Sequence, residues 1–223
     1  MPRCFVVQGF GKRQDYVQGK QFDLDASYEV IKEAIEDAGL ECYRGDELRR
    51  AGIIDQVMYD ELLAADLVVA DITTFDPETL RLWAAVHKRL FEINAKVEDL
   101  EEALFSLGRG FFIKGDYYNG INLAYMLDSK AVLETPTIKE GLRAVARYTR
   151  RKVKAICEAR LRDDNLVADE WYWVLATLYE ACVGLGETSE EVKWKAASKE
   201  AATTDWMVAS TETQVAKLRS LLD

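Results

Sequence analysis

The run Leu67-Val68-Val69-Ala70-Asp71 delivers an acid at the end of an apolar stretch. A carboxylate in that place accepts two hydrogen bonds, enough to hold both hydroxyls of a sugar diol. Gln8-Gly9-Phe10-Gly11 follows a second apolar run, Cys4 to Val7. Glycines in such a loop let backbone N–H groups approach a phosphate or a ribose at the carboxyl edge of a parallel sheet. Each feature also has a plainer reading. Asp71 can serve as a turn or cap acid for Thr73 and Thr74, and a tight turn needs glycine too. The loop lacks the complete G-x-G-x-x-G fingerprint.

A third feature is electrostatic. Arg143, Arg147, Arg150, Arg151 and Lys154 fall at i, i+4, i+7, i+8 and i+11, one stripe along a helix. Leu142, Val145, Ala146, Val153 and Ile156 form the opposite, apolar face. Five cations on one stripe repel one another unless acids or a ligand answer them. A solvated face with counter-charges from Glu98, Asp99, Glu101 and Glu102 is one answer. An anion site for a phosphorylated ligand or an acidic partner segment is the other. His87, the single histidine, stands four residues after Trp83 and four before Phe91. That puts it on or beside a packed helix face, and it reads as structural. Asp116-Tyr117-Tyr118-Asn119-Gly120-Ile121-Asn122 reads as a turn and tight helix packing rather than a site.

The elements that would position these residues change character along the chain. Up to Thr74, strands and helices alternate. Cys4–Val7, the run LECYR and Leu67–Ile72 read as strands, with helices over 26–38, stopped by Gly39, and over 53–64. That order implies a three-stranded parallel sheet of order 2-1-3. After Pro77 the pattern is helical throughout: 78–93, 98–113, 117–131, 138–162, 169–184, 189–202 and 205–222. The turns between are short, which makes neighbours antiparallel. Glu170-Trp171 recurs as Asp205-Trp206, an offset of 35, and Trp83 to Tyr118 has the same offset. The run from Trp171 to Gly186 fits the tetratricopeptide pattern, whose period is about 34 residues. The expected organisation is an α/β unit over 1–74 followed by an all-α helical-repeat domain over 75–223.

Composition bounds the function. The chain has 223 residues and a formal net charge of −10, which argues against broad binding to nucleic acid or an anionic membrane. No apolar run approaches the roughly 20 residues of a membrane span. Cys4, Cys42, Cys157 and Cys182 are far apart without C-x-x-C spacing, so they read as reduced and buried in a cytoplasmic protein. One histidine and no paired cysteines leave no set of metal ligands, and no cofactor is expected.

CFVVQGFGKRQD resembles the opening of a bacterial family of tetratricopeptide-containing proteins whose N-terminal domain is similar to nucleoside 2-deoxyribosyltransferases and, more distantly, to TIR domains. FDLDASYEVIKEAIEDAGLE and GIIDQVMYDELLAADLVVADIT resemble its first helix, second helix and third strand. GDYYNGINLAYML resembles the helical region shared with the TRAF-binding segment of apoptosis-signal-regulating kinases. The resemblance implies that Asp71 orients a ribose hydroxyl or a nucleobase. It also implies a catalytic Glu in a later N-x-N-x-x-Y-E-L-G segment, which this chain lacks. If Pro77 and His87 are aligned with that segment, the Glu position falls on Leu82. Alternatively the later strands are absent and Phe75 begins the helical half directly, because DPETLRLWAAVHKRLFEI reads well as a repeat helix.

Two functions follow as expectations. One is a bacterial signalling or defence-type scaffold whose helices bind a protein partner or an anionic ligand, beside a degenerate nucleotide-binding unit. The other is an enzyme cleaving an N-glycosidic bond in a nucleoside or NAD-type molecule, with Asp15, Asp46 or Glu47 as nucleophile. A short parallel sheet with open edges also suggests a second copy of the chain as a partner.

Overall fold

The computed structural model describes residues 2–14, 19–47, 61, 62, 64–71, 77–163, 166 and 168–223. Three strands, β1 (Arg3–Val7), β4 (Glu41–Arg44) and β5 (Leu67–Ala70), form a parallel sheet in the order β4-β1-β5. This is the expected 2-1-3 arrangement of the apolar runs. The register pairs Cys4 with Cys42 and with Leu67, and Phe5 with Tyr43 and with Val68. Alternation then sorts the side chains. Cys4, Val6 and Cys42 face helix α1 (Leu24–Asp37), meeting Tyr28 and Ile35. Phe5, Val7 and Tyr43 face the other way, onto Leu62 and onto Leu82 of helix α2 (Pro77–Asn94). The central strand is apolar on both faces because both are covered.

Helix α1 begins where Asp23 accepts a hydrogen bond from the Ala26 backbone N–H at 3.2 Å. It ends at Gly39, whose φ of 80° only glycine adopts without strain. A short antiparallel pair, β2 (Lys12–Gln14) and β3 (Gln21–Asp23), precedes it. The hairpin was not among the expected elements: its residues are exposed and, apart from Phe22, polar, so no apolar alternation marks it. The helix expected over 53–64 lies largely outside the described residues, as does the junction at 72–76.

No further strand follows Ala70 among the described residues. Helices α2, α3 (Val97–Lys114), α4 (Tyr117–Ala131), α5 (Pro136–Arg160), α6 (Ala168–Leu185), α7 (Thr188–Ala201) and α8 (Asp205–Leu222) match the expected spans to within about two residues at each end. The chain divides into two compact units, Met1–Ile113 and Lys114–Asp223. In the second, α4 packs on α5, α6 on both α5 and α7, and α8 on α6. Its core holds Leu178, Tyr179, Met207 and Leu218, each fully or almost fully buried. All four cysteines are free and buried.

Candidate functional site

The carboxyl ends of the three parallel strands bring one polar cluster together. The Asp71 backbone N–H donates to the Val7 carbonyl at 3.0 Å, which extends the β1–β5 ladder and sets Asp71 beside Gln8. Gln8 is buried, and its Nε2 donates to Asp71 Oδ2 at 2.7 Å; Ser27 Oγ, from the first turn of α1, donates to the same oxygen at 3.3 Å. Asp71 and the Gln8–Gly11 loop therefore share one edge, where the strand order changes direction.

The centre of this edge is Arg44, the last residue of β4. Its side chain is only 5% exposed. Nε and Nη2 donate to the two carboxylate oxygens of Asp46, each at 2.8 Å, and Nη2 donates to Asp25 Oδ1 at 2.9 Å. Nη1 points to Gln8 Oε1 at 3.4 Å and to the Gly9 carbonyl at 3.5 Å. The guanidinium lies between two rings, 4.2 Å from the Tyr28 centroid and 5.2 Å from that of Phe10. Burial would lower its pKa, but Asp46 and Asp25 outweigh that and raise it. The switch-point rule that singled out the ends of β1 and β5 applies equally to β4. Arg44 closes the run LECYR, so the same rule reaches it from the sequence.

Two further acids complete the edge. The Gly11 N–H donates to Asp25 Oδ1 at 3.1 Å, with Gly11 at a left-handed φ of 68°. That bond, with Arg44, holds the Asp25 carboxyl below its ordinary pKa. A carboxylate of the protein thus occupies the glycine-loop N–H that a ligand phosphate would seek. Glu47 accepts from the Tyr28 hydroxyl at 2.7 Å, from Lys32 at 2.8 Å and from the Arg44 N–H at 3.1 Å. Its burial works to raise its pKa, but these donors prevail and lower it. The Tyr28 hydroxyl is pushed up, by burial first and by Glu47 second. Asp15 lies outside the described residues.

The basic residues of α5 do not remain one solvated stripe. Arg150 is fully buried, with Nη1 2.6 Å from Asp128 Oδ2 of α4. The contact is a close ion pair without hydrogen-bond geometry, and none of the three guanidinium nitrogens makes a hydrogen bond among the described residues. Burial raises the Asp128 carboxyl, with Arg150, Arg143 and Arg147 pulling the other way. Arg143 donates to the Leu221 carbonyl at 2.9 Å, at the end of α8, and Lys154 pairs with Glu187. Arg150 and Arg143 therefore join α5 to other helices, and Lys154 joins it to the turn before α7. Arg147 is half-buried and Arg151 exposed. The acids expected to answer the stripe belong to the other compact unit, where Asp99 instead holds His87 Nδ1 at 2.7 Å. The partner of the single histidine comes from twelve residues further on.

Asp116 caps α4, accepting from the Asn119 N–H and from Asn119 Nδ2, each at 2.8 Å. The Asp116–Asn122 segment, expected as a turn with tight helix packing, is the capped first turn and a half of a helix. No helix among the described residues is long and apolar enough to cross a membrane.

A family model described as Tetratricopeptide Repeats-Sensor matches residues 19–127, just under half of the chain, from β3 into α4. No curated protein and no solved structure was found to match. Taken with the stacked antiparallel helices, the match shows a tetratricopeptide-like helical scaffold, a kind of repeat that generally serves protein interaction or sensing.

Proposed function

We propose that this protein is a cytoplasmic bacterial signalling or defence-type scaffold in which the sheet edge recognises a nucleoside-like molecule without cleaving it. One observation carries the reading: each described acid at that edge is already held by a neighbour. Asp25 is held by Gly11 and Arg44, Asp46 by Arg44, Glu47 by Tyr28 and Lys32, and Asp71 by Gln8 and Ser27. Most glycosidases use a pair of carboxyl groups, one with its pKa raised to act as the acid. Asp25 and Glu47 are shifted the opposite way. A sugar hydroxyl would reach the Asp71 carboxylate by exchange with the donors that now hold it, Gln8 and Ser27.

The test is to incubate the chain with NAD and a panel of deoxynucleosides and follow base release by chromatography, with calorimetry for binding and Asp71→Asn as the control. The expected result is saturable nucleoside binding, weakened about tenfold or more in the variant, with no base released. Release that vanishes in Asp71→Asn would replace this reading with the N-glycosidase one.

The helical unit would capture an acidic partner segment or an anionic ligand through Arg147 and Arg151, the two cations of the stripe not given to helix contacts described above. Arg147→Glu with Arg151→Glu should abolish capture; unchanged capture clears the stripe of that role.

A further inference from the structure

Helix α5 keeps one long face in solvent. Ile138, Gly141, Val145, Tyr148, Lys152 and Ala155 follow one another at alternating steps of three and four, so they line up along one side of the helix. All six are exposed. Val145, which its spacing placed with the inner apolar residues, belongs to this outer face; the inner one is Ala146, Thr149, Arg150, Val153 and Cys157. Ile138, Val145 and Tyr148 are each about half exposed, and Val132 and Leu133 stand exposed in the turn just before the helix. A stripe with these steps is the seam by which one helix packs on another at a shallow angle. Gly141 argues the same way. Glycine weakens a helix relative to alanine, yet a Cβ at Gly141 would meet nothing within 4 Å. The chain itself gives no steric reason for the glycine, whereas a second helix lying close does.

The stripe is complementary to its own reverse. In an antiparallel pair centred between Ala146 and Arg147, Ile138 meets Ala155 of the second copy, Gly141 meets Lys152 and Val145 meets Tyr148. The larger side chain faces the smaller at each level. Charge agrees. Glu140 is exposed next to Gly141, which sets it beside Lys152 of the second copy. The Lys152 Nζ stands 5.4 Å from the Tyr148 ring centroid of its own chain, which keeps the ammonium on this face. A parallel pair would instead set Lys152 against Lys152 and Arg151 against Arg151, like charge on like. The antiparallel contact uses the same patch on both copies, so the assembly closes at two chains.

We propose that the outer face of α5 is a self-association surface, through which two copies of this chain pair antiparallel about a twofold axis between Ala146 and Arg147. The proposal uses neither the carboxyl edge nor the capture assigned to Arg147 and Arg151, so those readings and this one stand or fall apart.

Sedimentation of the full chain over a range of concentrations is the test. The unmodified chain should pass from monomer to dimer at about 10–100 μM, since one helix pair buries an interface at the small end of the stable range. Val145→Glu puts a charge into the seam and should weaken the dimer about tenfold or more. Its circular dichroism should stay that of the parent, because the position is exposed. A charge-reversal cycle then fixes the orientation. Glu140 and Lys152 are about 18 Å apart along one helix, so they reach each other only through a second copy. Glu140→Lys and Lys152→Glu should each weaken the dimer about threefold or more, and the two together should restore it. Losses that add in the double variant, or a dimer indifferent to Val145→Glu, would overturn the proposal. So would an unmodified chain that stays monomeric throughout, a result that needs no variant to fold and would leave the face to a different protein.

Discussion

Arg44 and Arg150 are both almost wholly buried, yet one organises a surface and the other fastens a core. Arg44 distributes its donors over Asp25, Asp46, Gln8 and the Gly9 carbonyl, between two aromatic rings. Its anions stay partly in water, with Asp25 56% and Asp46 39% exposed. Arg150 meets a single carboxylate, Asp128, itself only 2% exposed. A half-wet anion keeps its hydration and can exchange partners, so a ligand can enter the Arg44 edge at modest cost. A dry pair has no substitute for either member, and that fixes how helices α4 and α5 meet.

The largest effect expected from this contrast comes from cutting the dry pair on one side. Asp128→Ala leaves the Arg150 guanidinium buried and uncompensated, and should cost about 3–5 kcal/mol. Replacing both, Asp128→Leu with Arg150→Met, should recover most of that loss. Urea unfolding followed by fluorescence reports on the second unit, which contains four of the five tryptophans. A double variant as unstable as the single one would mean that packing, and not charge, sets the cost.

Gly184→Ala probes the same guanidinium from α6. A Cβ there would stand 2.2 Å from Arg150 Nε and 2.5 Å from Cζ. The glycine is needed for space, and the added methyl should cost about 1–3 kcal/mol through overpacking. In an Arg150→Met background the penalty should shrink, since a flexible thioether can yield. An unchanged penalty would place the conflict elsewhere.

These two residues also show where sequence reading stops. The α2–α8 spans and the three parallel strands were legible because periods of 3.6 and of continuous apolar runs report burial directly. The stripe on α5 was legible as a pattern of charge, but nothing in the spacing of Arg143, Arg147, Arg150 and Arg151 says which one faces Asp128. Gly184 read as part of the tetratricopeptide pattern; that it makes room for a guanidinium is a tertiary fact. The Gln8–Gly11 loop and Asp71 were legible as neighbours on one sheet edge. Asp25 and Ser27 were not, because they reach that edge from the first turn of α1. The His87–Asp99 contact joins two helices across a turn, so no local period encodes it.

Arg44→Met tests the wet side. The apolar stem can still lie between Tyr28 and Phe10, so the loss is the charge and its hydrogen bonds. Because Asp25 and Asp46 remain partly solvated, screening limits the cost to about 1–2 kcal/mol. Trp83, the only tryptophan before residue 114, reports it in a chain whose other tryptophans are replaced by phenylalanine. A loss as large as that of Asp128→Ala would erase the distinction between the two arginines.

The smallest effect is the response to acid, and its sign separates the regions. Asp25 and Glu47 are held below their ordinary values of 3.8 and 4.5, so the folded edge binds fewer protons than the unfolded chain there. Their contribution is present above those values and is lost as pH falls through the lowered ones. Asp128 is raised above 3.8 by burial, so its folded state binds more protons than the unfolded one. It therefore adds no acid loss of this kind to the second unit. Acidification from pH 5 to pH 3 should therefore weaken the Trp83-reported unit relative to the second one. In Arg44→Met that acid sensitivity should diminish, because Asp25 loses one of the two donors that depress it. Parallel loss in both units, unchanged by the substitution, would show that general charge repulsion, and not these carboxylates, governs the acid limb.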